Sequence, residues 1–157
     1  MIKKIFLILT ILIIFPLCSI SADRNYIGLM KIDPEKNAYV HNNLGETYLK
    51  LGYYEAAQDC FENALDKYPL NFRYYLNLVT SYQMQGLTKS KLKYYQKNKK
   101  TPLDDITIGI LYIADGQTDT GIAVLERFVM NEPKLFITDG VKYYLKGIIE
   151  ERKDGKR

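Results

Sequence analysis

Tryptophan is absent from this chain, histidine occurs once and cysteine twice among 157 residues. Those shortages remove whole classes of chemistry. A single His41 with Cys18 and Cys60 offers no cluster with metal-ligand spacing, and His41 is expected to pack rather than to act as a base or ligand. No glycine-rich phosphate loop follows a strand pattern, and Ser81 and Ser90 lack a nucleophile-elbow context. Asp104 and Asp105 are adjacent, so their side chains diverge, and N-capping with a favourable helix dipole accounts for them. The expectation is a chain without catalytic residues, metal or cofactor. Charge of one sign is also scarce. There are 22 basic against 18 acidic residues, and setting aside Lys3 and Lys4 leaves 20 against 18, which is no nucleic-acid signature. Low-complexity sequence is lacking too, and a second domain has no room.

Long apolar runs are confined to the amino terminus. Lys3 and Lys4 precede an unbroken stretch from Ile5 to Leu17, with small residues at Ser19, Ser21 and Ala22 behind it. This is the pattern of a secretory signal sequence. Thirteen residues fall short of the roughly 20 that span a bilayer, so residues 1–22 are expected to be a cleaved bacterial signal peptide. Retention as an anchor is the alternative, because the run extends to Ile20. Cys18 opens a third reading, since bacterial lipoproteins acylate a cysteine behind such a stretch, although the bulky Leu17 departs from that pattern. With residues 1–22 removed, Cys60 stands alone beside Phe61, where it suits a small buried filler better than a reactive thiol.

What is present is a period. Gly52 and Gly86 are 34 residues apart, as are Tyr48 and Tyr82, Leu44 and Leu78, and Phe61 and Tyr95. A fixed interval of that size marks a repeat of helical pairs that bury their apolar stripes against one another. Leu44 and Tyr48 share a helix face, Gly45 admits a second helix, and Gly52 suits a left-handed helix end. In the second helix Ala57, Phe61, Ala64 and Leu65 form one apolar stripe, which Pro69 stops. Together with Tyr54, these residues resemble the tetratricopeptide repeat. The next unit keeps Tyr75, Leu78, Tyr82, Gly86 and Tyr95 but places Lys91 and Asn98 where the family has small apolar residues. The third keeps Ile108, Gly109, Tyr112, Gly116, Gly121, Leu125, Phe128 and Pro133, with a turn of helix lost near 98–101. The fold implied is all-α, a short right-handed α-solenoid of tetratricopeptide-type helix pairs with a C-terminal capping helix. Its expected units are a linker and partial repeat over 23–37, repeats over 38–71, 72–101 (degenerate) and 102–133, and a capping helix with a basic tail over 134–157.

The resemblance implies a partner in the concave groove lined by the first helices. The first repeat would offer Tyr39, Asn42, Glu46, Leu49 and Lys50. The second would add Arg73, Leu76, Asn77, Thr80 and Gln83, and the third Ile106, Thr107, Ile110 and Ile113, unless burial by the third repeat's own second helix and the cap closes that end. The family's clamp for chaperone-tail carboxylates would need basic residues at Asn42, Leu103 and Thr107 and an asparagine at Glu46. Only Asn77 matches, and Glu46 would repel a carboxylate. A protein segment with an apolar end and a basic or amide-rich end fits better. Charge is also patterned, with Glu46, Glu55, Asp59, Glu62 and Asp66 in the first repeat against Lys89, Lys91, Lys93, Lys97, Lys99 and Lys100 in the second. The lysines are either a solvated face or a patch for anionic lipid or an acidic partner. These readings converge on an exported, non-catalytic adaptor of the periplasm or cell envelope, binding a protein or peptide and no nucleic acid. The alternatives are a membrane-anchored structural protein and an accessory subunit of an envelope complex.

Overall fold

The computed structural model describes residues 33–154. The expected signal peptide, Cys18 and most of the partial repeat lie outside them. Among the described residues there are seven helices and no strand: α1 (Pro34–Lys50), α2 (Tyr54–Lys67), α3 (Phe72–Met84), α4 (Thr88–Asn98), α5 (Asp104–Ala114), α6 (Thr118–Asn131) and α7 (Ile137–Asp154).

Three helices end by one device. Gly52, Gly86 and Gly116 have φ of 81°, 71° and 83°, a left-handed conformation that glycine adopts without steric cost. Each reverses the chain so that the amide one residue later donates back to a tyrosine carbonyl. These bonds run from Tyr53 to Tyr48 (2.9 Å), Leu87 to Tyr82 (2.8 Å) and Gln117 to Tyr112 (2.9 Å). This six-to-one closure satisfies a carbonyl that the helix end would otherwise leave open, and its recurrence makes α1–α2, α3–α4 and α5–α6 successive antiparallel pairs.

Glycine also sets how closely two of the pairs pack. A Cβ on Gly45 would stand 2.6 Å from the Phe61 ring, and one on Gly109 would stand 2.6 Å from Leu125 Cγ. Phe61 and Leu125 are both 0% exposed, and burying a side chain of this size stabilises the fold by about 2 kcal/mol. From the facing helix, Gly121 meets Ile113 and the Gly109 carbonyl. One core cluster runs from Phe61 through Tyr75, Leu78 and Tyr82 to Leu111, Leu125 and Phe128, and on to Val141 and Leu145 of α7.

The second pair departs from the pattern, and its exceptions have partners. Lys91, which replaces a small residue, lies with Nζ 4.5 Å above the Tyr82 ring, a favourable cation–π contact. Tyr82 donates to Glu62 (3.0 Å) and lies 3.3 Å from the Tyr95 hydroxyl. Tyr75 donates to the Pro69 carbonyl at 2.9 Å. The hydroxyls of Tyr75 and Tyr82 are thus bonded within the protein. With 11 residues, α4 is shorter than α2 and α6, which have 14 each.

Asp104 and Asp105 do not cap α5 as expected. Asp104 accepts instead from the amides of Lys100 and Thr101, both at 2.8 Å, and so fixes the turn before the helix. Asp105 points inward, 7% exposed, with Lys99 Nζ at 2.6 Å and Arg127 Nη2 at 3.7 Å. Both carboxylates still lie in the first turn, where the helix dipole favours them.

Helix α7 sits apart from the pairing scheme. It packs on α6 and also reaches α3, where a Cβ on Gly140 would approach Phe72 Cβ to 2.9 Å and Tyr144 tilts against the Phe72 ring at 5.3 Å. Ile137, Thr138, Val141 and Leu145 are its buried residues, all in the first half, so the second half projects along the protein surface.

Candidate functional site

The first helices do present a polar end, but its polar groups are bonded to one another. Asn42, 2% exposed, donates to Glu46 Oε1 at 2.8 Å. Asn77 donates to Asn42 Oδ1 at 2.8 Å and to Glu46 Oε1 at 3.0 Å. Arg73 completes the set, its Nη2 lying 3.0 Å from Glu46 Oε1. Partial burial works to raise the Glu46 carboxyl, but the Asn42 and Asn77 hydrogen bonds and the Arg73 charge outweigh it and hold the group below the ordinary value. The network ties α1 to α3 and neutralises Glu46. Asn77, which alone matched the carboxylate clamp, spends its amide on Asn42 and Glu46.

The apolar end differs more from expectation. Ile106 and Ile110 are 0% and 4% exposed, and Thr107 is 2% exposed. Both isoleucines belong to the one core cluster that runs through the helix pairs to α7, so they support the fold and offer no surface to a partner. Ile113, one turn further along α5, remains half-buried. Of the other groove residues, Tyr39, Lys50 and Gln83 are exposed, while Leu49 and Thr80 are half-buried. The Thr80 hydroxyl donates to the Leu76 carbonyl at 2.8 Å.

Arg73, Leu76 and Ile113 meet again in an open cleft of about 900 Å³ between the start of α3 and the length of α7. Phe72, Leu76 and Ile113 line one side. Phe136, Gly140, Tyr143, Tyr144, Gly147, Ile148 and Glu151 line the other. Phe136 and Tyr143 are 76% and 82% exposed. The α7 residues were not anticipated as a site, although their signal is in the sequence: they recur every three to four residues beside a buried stripe. The paired Tyr143 and Tyr144 straddle the two faces.

The lysines of α4 and of the turn after it form a second feature. Lys89, Lys93, Lys97, Lys99 and Lys100 are exposed, and three of them, Lys89, Lys93 and Lys97, recur at four-residue steps along one helix face. Lys91 and Lys99 are engaged by Tyr82 and Asp105. Cys60 is 8% exposed, and burial, followed by the nearby Asp59 charge, pushes its thiol up, away from nucleophilic reactivity. Among the described residues no group of three or more His, Cys, Asp or Glu side chains is placed to hold a metal ion, and no helix is long and apolar enough to cross a membrane.

Residues 38–71 match the family model described as the tetratricopeptide repeat, a segment that runs from Ala38 in α1 through α2 to the cap of α3. No curated protein matches the chain. Among solved structures it is similar to the Arabidopsis OM64 TPR domain, at 14% identity over 73% of this chain and 98% of that one, with a TM-score of 0.41. It is also similar to the first TPR of Spaghetti (RPAP3) bound to HSP90 peptide SRMEEVD, at 19% identity over 74% of this chain and 95% of that one, with a TM-score of 0.41. Among the described residues the fold is all-α, three successive helix pairs followed by α7.

Proposed function

We propose that this chain, which carries a tetratricopeptide repeat at residues 38–71, is a non-catalytic protein–protein interaction adaptor of the bacterial cell envelope, binding a segment of a partner protein in the cleft between α3 and α7. The observation that carries the reading is the cleft itself. Its Phe136 and Tyr143 rings stand 76% and 82% exposed beside Leu76 and Ile113, and concave apolar surface of this kind is where partners dock. Envelope placement rests on Lys3, Lys4 and the apolar run from Ile5 to Leu17.

The test is a crosslinked pull-down from intact envelope, comparing the wild-type chain with Tyr143→Glu and Phe136→Asp. Both side chains are exposed, so the substitutions leave the core intact. The reading expects one discrete partner to be lost in both variants. Unchanged capture would move the binding site elsewhere.

A second reading is favoured by the exposed lysine row of α4. It makes the chain a membrane-surface structural protein, held by its amino terminus or an acylated Cys18, with Lys89, Lys93 and Lys97 on anionic headgroups. Sedimentation with phosphatidylglycerol vesicles against phosphatidylcholine vesicles, at low and high salt, separates the two readings. Strong salt-sensitive binding to the anionic vesicles alone supports the second.

A further inference from the structure

We propose that the segment held in the cleft is an amphipathic α-helix with a basic polar side, lying along α7 and placing a large apolar residue over Gly147. This rests on the reading of the cleft as the partner site and adds the chemistry of the occupant.

The shape of the cleft favours a helix. Its α7 wall runs from Gly140 through Tyr143 and Gly147 to Glu151, steps of three and four residues that form one face about 16 Å long, with Phe136 in the turn just before the helix. A ridge-and-groove surface of that length is complemented by another helix, whose own rows of side chains interdigitate with it.

The chain's own helix pairs show how such a contact closes. Gly45 and Gly109 each receive a large apolar side chain, Phe61 and Leu125, within 2.6 Å of where a Cβ would stand. Gly147 is likewise in mid-helix and lines the cleft, yet a Cβ there would meet nothing within 4 Å. Glycine at such a position costs about 1 kcal/mol relative to alanine, and no contact among the described residues requires it. A docked helix would use the notch as Phe61 and Leu125 use theirs.

Charge decides the sign of the occupant. Four charged side chains line the cleft: Arg73, Arg152, Asp139 and Glu151. Arg73 is paired with Glu46, Arg152 with Asp119, and Asp139 with Lys142, whereas no ion pair joins Glu151 to another described residue. A lysine or arginine on the occupant complements that carboxylate, and the open faces of Tyr143 and Phe136 favour the same sign.

The test uses the full chain and three fluorescein-labelled synthetic peptides: a Leu/Lys amphipathic helix, the same helix with Glu for Lys, and a Leu/Lys scramble without helical periodicity. Anisotropy titrations are expected to give the first at least about tenfold tighter binding than the others, a gap of about 1.4 kcal/mol. Gly147→Leu should weaken it by at least about tenfold without lowering the melting temperature, because the new side chain enters open space. Glu151→Lys should shift preference toward the Glu peptide. Equal binding of the Lys and Glu helices, or wild-type binding by Gly147→Leu, overturns the proposal. If the pull-down loses its partner in Tyr143→Glu while Gly147→Leu retains it, the adaptor reading stands and the helix proposal fails. If neither experiment depends on the cleft, both fail. Self-association of the wild-type chain that disappears in Gly147→Leu would place a second copy in the cleft and also overturn the proposal.

Discussion

Gly121→Ala adds a single methyl group, and the structure fixes what it meets. The new Cβ would lie 2.5 Å from Ile113 Cγ1, 2.6 Å from the Gly109 carbonyl oxygen and 3.1 Å from the Ile113 amide nitrogen. Two of those atoms are backbone, so the clash cannot be relieved by turning a side chain, and α6 must move away from α5. Overpacking of this kind costs about 3 kcal/mol at the upper end of its usual range, and the helix propensity of alanine returns about 1 kcal/mol. The net loss is about 2 kcal/mol, or about 8 °C in melting temperature for a domain of this size. Gly147→Ala supplies the matched control. It makes the same chemical change in open space, so only propensity acts and the protein gains about 1 kcal/mol. Circular dichroism at 222 nm through a thermal ramp reads both. Melting of Gly121→Ala at or above the wild-type temperature, or shifts of the same sign in the two variants, would refute the packing described between α5 and α6.

Other perturbations reach different parts of the account. Asn77→Ala removes the two hydrogen bonds that Asn77 donates from α3 to α1 and leaves buried Asn42 Oδ1 without its Asn77 donor, so urea unfolding should show a loss of about 1–3 kcal/mol. Glu46→Gln should separate from wild type at neutral pH and converge with it in acid. A carboxyl whose folded value is depressed contributes stability above its ordinary unfolded value of 4.5 and loses it as pH falls through the folded one; a stability gap independent of pH would count against the Arg73–Glu46 pairing. Burial raises the hydroxyls of Tyr75, Tyr82, Tyr95 and Tyr144. Their stabilising share is complete below the ordinary tyrosine value of 10.0 and disappears as pH rises through the folded values. Absorbance at alkaline pH should therefore show these tyrosines ionising together with unfolding rather than before it. Reversing Lys89, Lys93 and Lys97 to Glu should leave peptide binding in the cleft unchanged while abolishing any salt-sensitive vesicle binding.

Local signals read well from the sequence because they act over a few residues. Gly52, Gly86 and Gly116 take the left-handed turn that their spacing implied, and Gly45 and Gly109 mark close helix contacts. Ile106 and Ile110 are buried by helix packing in the shared core, and the repeat period carries no term for α7, a helix that leaves the period. The same helix builds the cleft wall, so Tyr143 and Gly147 gain their place only once Gly140 meets Phe72. Lys91 shows the converse. As a sequence feature it looks like a defect in the repeat, and only the three-dimensional position of the Tyr82 ring gives it a partner.

The most direct measurement is site-specific photocrosslinking in living cells, with a photoreactive residue replacing Tyr143 in the cleft or Tyr94 on α4, which is 58% exposed and outside the cleft. Binding in the cleft predicts one discrete adduct from position 143, absent from position 94. An adduct from position 94 alone, or the same adducts from both, would contradict the account.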